Sequence, residues 1–145
     1  MSLWPTALMI LAASAMVAGA VYDLKSFKIP NFIIVALVAL ALANALLVGN
    51  LKALGWLGAL IVLVVGSCLW AAKLIGAGDV KFAAAILLSF PGQASEFLIL
   101  TSLLGAVTAL VFLAKSKLKK VKADKIPYGV PMALTGVILL ALKIG

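Results

Sequence analysis

Four acidic residues occur in 145, and two of them stand where a carboxylate is costly. Asp23 ends a long apolar stretch and opens DLKSFKIPN, residues 23–31; Asp79 lies inside GAGDVKF, residues 76–82, just before another apolar stretch. Two carboxylates within water-bridging distance tend to hold one proton near neutral pH, because like charges resist double ionisation. One member then takes a proton from water while the other protonates a departing amide. This is the aspartic-protease arrangement, and it needs no metal, histidine or cysteine. The composition suits it: with no histidine and a single cysteine, Cys68, inside the third apolar stretch, Ser/His/Asp, Cys/His and zinc chemistries are excluded, as is a disulfide framework. No cofactor is expected. Asp79, with a helix N-terminus behind it, is expected to be the more readily ionised member, although such a pair titrates as a unit.

Each aspartate also has a plain explanation. Asp79 can cap a helix N-terminus, and Asp23 can be an interfacial acid beside Lys25 or Lys28. Gly76 and Gly78 argue for more, because two alternating glycines before Asp79 allow dihedrals and close backbone approach that a bare cap does not require. Pro30 and Asn31 read as a helix start. In KIPYGVP, residues 125–131, Pro127 and Pro131 surround Tyr128 and Gly129 and mark an irregular start to the last helix. The remaining acids carry little information: Glu96 falls on the outer side and Asp124 within a lysine-rich loop.

The elements that must position these residues are apolar helices. The chain is 66% hydrophobic and 11% charged, against about a quarter charged in soluble domains, and its mean hydropathy is +1.31. Charge-free stretches cover 1–22, 29–51, 53–72, 82–95, 97–114 and 126–142. A spanning helix needs roughly 20 residues, so the fold expected is all-α: one polytopic domain over 1–145 with six transmembrane helices. The first stretch lacks a basic n-region, which disfavours a cleaved signal peptide. Twelve lysines and no arginine give a net charge of +8, a pattern that fits the positive-inside rule better than nucleic-acid binding. With both termini outside, ten lysines fall on the cytoplasmic side and only Lys52 and Lys143 do not. Asp23 and Asp79 then share the cytoplasmic face of the membrane. The fourth stretch is odd, since 79–90 rises only about 18 Å as a helix before Pro91 and Gly92 break it. The basic run at 115–125 reads as a loop that anchors topology beside anionic lipid headgroups.

Taken together, Asp23 with Ile29, Pro30 and Asn31, then Gly76, Gly78, Asp79 and Lys81, then IPYG from Ile126 to Gly129, resemble the type IV prepilin peptidases in motif content, order and spacing. The resemblance spans nearly the whole chain. It implies a polytopic aspartic endopeptidase that removes short basic leaders from prepilins or pseudopilins at the cytoplasmic membrane face, typically after a glycine. Asp23 and Asp79 match the two catalytic aspartates. Gly76, Gly78, Lys81, Pro30, Asn31, Pro127, Tyr128 and Gly129 match positions that shape the site or contact substrate. Larger members carry a cysteine-motif loop and N-methylate the new pilin terminus; with one cysteine here, methylation is not expected, and the compact form is similar to the TadV or CpaA peptidases of Flp pili and to archaeal preflagellin peptidases.

Three other readings compete. Presenilin-like proteases share a Tyr-Asp and GxGD pair, which Tyr22-Asp23 and 76–79 fit, but those enzymes have more spans and a PAL motif that is absent here. An ion-coupled transporter would use both acids as carriers and predicts paired helix breaks. A structural membrane subunit would use them as caps. Membrane lipids are expected partners in every case; the sequence names neither the substrate nor an oligomeric state.

Overall fold

The computed structural model describes residues 3–119 and 125–144, all of whose regular structure is helical. Asp124, Lys120 and Lys122 lie outside the described residues. Six α-helices follow in order: α1 (Leu3–Ser26), α2 (Asn31–Leu47), α3 (Trp56–Ala71), α4 (Ala77–Leu87), α5 (Ala94–Lys119) and α6 (Gly129–Ile144). Breaks fall where the chemistry of single residues demands them. Pro30 occupies the N-cap of α2 in extended conformation, and Gly49, at φ 69°, ends that helix before a short 3-10 turn at Leu51–Ala53. Gly92, at φ 76°, turns the chain between α4 and α5, a conformation side chains rarely tolerate.

Among the described residues, only α1 and α5 are long and apolar enough to cross a membrane on length and composition, while α2, α3 and α6 are shorter apolar helices. The basic run expected as a loop begins instead as helix, because α5 continues through Lys115 and Lys117 to Lys119; lysine is a good helix former, and basic residues suit a helix C-terminus.

The fourth apolar stretch becomes the centre of the molecule. At eleven residues α4 rises about 16 Å, roughly half a hydrocarbon core. Val80 and every residue from Phe82 to Leu87 are buried, so all sides of α4 meet protein. It packs on α2, α3 and α6, while α1 packs on α2 and α6, and α5 on α6. Close packing at the α3–α4 crossing depends on Gly66, where an added Cβ would lie 2.6 Å from Val80 Cγ1. A hydrogen bond of 3.2 Å from Thr101 Oγ1 to Thr135 Oγ1 ties α5 to α6. The outward faces carry large exposed apolar residues such as Ile10, Leu57, Leu60, Val64, Leu103 and Leu110, a surface that fits hydrocarbon better than water. Cys68 is free and exposed on α3.

Candidate active site

Asp23 lies in the last turn of α1. The helix closes just beyond it, where Phe27 adopts φ 51° and donates its N–H to the Asp23 carbonyl at 2.9 Å. The side chain is 4% exposed, too deeply placed for an interfacial acid held by nearby lysines. Its partner comes from 106 residues away: the Gly129 backbone N–H donates to Asp23 Oδ2 at 2.7 Å. That donor is the first residue of α6, whose opening turn leaves N–H groups without helical partners. Pro127 and Pro131, both fully buried, have no N–H to offer, and Gly129 has no side chain to obstruct the approach. An added Cβ at Gly129 would stand 2.9 Å from Asp23 Oδ2 and 3.0 Å from Asp23 Cβ.

Asp79 is the third residue of α4, and Gly76 is the N-cap. Its carboxyl folds back to accept a hydrogen bond from the Gly76 backbone, which is half of a capping box. Capping is therefore part of its role. The glycines do not supply unusual dihedrals, since Gly76 is ordinary extended backbone at φ −79° and ψ 144°, and Gly78 is helical. What Gly76 supplies is room: a Cβ there would meet Asp79 Oδ2 at 3.0 Å. A Cβ on Gly78 would find only ordinary contacts with Ile29, the nearest at 3.8 Å.

The two carboxylates line one cavity of about 320 Å³, together with Asn31, Gly76, Gly78 and Lys81. Pro30, Pro127, Tyr128 and Gly129 do not line it. Pro30 starts α2, Gly129 acts through Asp23, and half-exposed Tyr128 lies near Gly105 on α5. Ile29, a motif residue of the sequence, also lines the cavity, as does Lys28, and Phe27 and Ala77 complete the wall. Those last two were missed in the sequence, and their places between the motif residues were the available signal. Lys28 and Lys81 bring two cations to a cavity that holds two acids.

Asp79 was expected to be the more readily ionised member because a helix N-terminus stands behind it; a helix N-terminus, that of α6, stands behind Asp23 as well.

A model of the type IV leader peptidase family matches residues 10–113 of the chain. This chain belongs to the type IV leader peptidase family. No curated protein and no solved structure matches it. Membership implies a peptidase, which agrees with the resemblance carried by Asp23, Ile29 to Asn31 and 76–81, all within the matched region. The IPYG segment lies beyond that region. Its link to the candidate site is physical, through the hydrogen bond from Gly129 to Asp23.

Proposed function

We propose that the chain is a membrane-embedded aspartic endopeptidase that cleaves the short basic leader of prepilins or pseudopilins at the cytoplasmic membrane face. The observation that carries this reading is the meeting of Asp23 and Asp79, from α1 and α4, in one cavity of a chain of the leader peptidase family. In the proposed mechanism a water between the carboxylates loses a proton to the ionised member and attacks the scissile carbonyl carbon. The protonated member then donates to the amide nitrogen as the C–N bond breaks, leaving a new carboxyl on the leader and a new amine on the pilin. The pair ends with one proton, as it began.

The proposed topology has six membrane helices with both termini outside and the cavity opening to the cytoplasm. Ten of twelve lysines support that orientation. Short α4 enters the bilayer only because neighbouring helices surround it, as buried segments at membrane depth require. The activity proposed is proteolysis alone, since these residues hold one cysteine and no cysteine motif. Within the family the reading places the chain beside the compact TadV or CpaA peptidases. The presenilin-like and transporter readings gain nothing from the family match.

The test is direct. The purified chain in detergent, mixed with a candidate prepilin and excess EDTA, is expected to release the leader, seen as a gel shift with the cut position fixed by mass spectrometry. Intact prepilin from every candidate pilus system of the host, under conditions where a known leader peptidase cuts it, would sink the proposal.

A further inference from the structure

Helix α3 packs chiefly on α4, and an apolar groove runs along each of its flanks. The groove toward α5, about 230 Å³, has Val80 and Ala83 of α4 as its floor and Asp79 in its lining. Along α3 it extends from Ile61 to Leu69, about 12 Å of helix rise, and Leu98 and Thr101 form the opposite wall. The groove toward α2, about 350 Å³, lies between Ile34 and Val38 on one side and Leu60 and Leu63 on the other, and has Lys81 in its lining. Both Asp79 and Lys81 also line the cavity that holds Asp23. Each groove therefore shares one residue with the candidate active site, an anion in the first and a cation in the second.

We infer that the α3–α5 groove seats the apolar helix of the substrate, with its N-terminal end at Asp79. The inference rests on the leader peptidase reading. If the leader is cut at the membrane edge and remains in the cytoplasm, the chain beyond the scissile bond lies in the bilayer, where backbone is accommodated only as helix. That helix presents its N-terminus to the site, with unpaired N–H groups and the positive end of its dipole. A carboxylate complements that end; an ammonium group opposes it. Charge thus selects the groove that ends at Asp79 over the one that passes Lys81. Ile61, Val65, Leu69 and Leu98 stand exposed along it, available for side-chain packing, which drives helix association where lipid is as apolar as protein.

Ile61 and Leu60 are neighbours on α3 that line opposite grooves, so they separate the two paths. The photo-crosslinker p-benzoylphenylalanine is placed at one position or the other in an Asp23→Asn background that keeps the substrate uncut. Each variant is co-expressed with a prepilin, irradiated and blotted for an adduct of the summed mass. A prepilin adduct from position 61 and none above background from position 60 is the expected result. An adduct from position 60 alone, from both equally, or from neither overturns the groove assignment. Cleavage of the same prepilin by the wild-type chain is followed in parallel. Cleavage without an adduct at 61 removes the groove and leaves the peptidase reading standing, whereas absence of cleavage removes both.

Discussion

Asp23→Asn and Asp79→Asn are each expected to lower leader cleavage by about 10²–10⁴-fold, the range that a positioned general acid or base supplies. The double variant should lose about as much as either single one. A pair that holds one proton works as a unit, and removing half of it already removes the function. Asparagine is the informative replacement because its amide oxygen still accepts a hydrogen bond, from Gly129 at position 23 and from Gly76 at position 79. Loss of activity would then report lost proton transfer rather than a collapsed site. The measurement is the initial rate of leader release at membrane levels equalised by immunoblot. Wild-type rates in either variant would remove the two-aspartate mechanism, and losses that multiply in the double variant would mean that the carboxylates act independently.

Gly129→Ala is expected to cost about 10²-fold in the same assay, the scale on which a misplacement of about 1 Å acts. The added methyl group would meet Asp23 Oδ2, Cβ and Cγ at 2.9, 3.0 and 3.1 Å. A flexible side-chain tip could swing aside, but the Cβ of Asp23 is fixed to α1. Either α6 retreats or the carboxylate turns, and in both cases the 2.7 Å hydrogen bond is lost. Glycine is needed here for what it leaves empty, not for an unusual φ. A rate within twofold of wild type would show that the Asp23–Gly129 contact does not aim the carboxylate.

The sequence made the site more legible than the helices around it. Carboxylates are so scarce in this chain that Asp23 and Asp79 stood out unaided, and glycine and proline marked the segments beside them. Helix faces were obscured because a membrane protein is apolar outside as well as inside: the exposed face of α3 carries Leu57, Leu60 and Val64, much as the buried faces carry Leu37 and Ile86. Periodicity cannot separate two faces of like polarity. The sequence exposed the shortness of α4 through Pro91 and Gly92, but not its burial on every side, which depends on neighbours remote in the chain. The Gly129 donor was hidden for the same reason. IPYG showed an irregular helix start, and nothing local to it pointed across 106 residues to Asp23.

That long reach also sets an order in time. Both aspartates leave the ribosome within the first 79 residues, whereas the N–H that aims Asp23 arrives only at residue 129. A nascent chain therefore carries both acids into the membrane well before it can hold them in register. If the two aspartates work as the proposed dyad, cleavage competence comes late, when the last helix docks against the first and its N–H reaches Asp23.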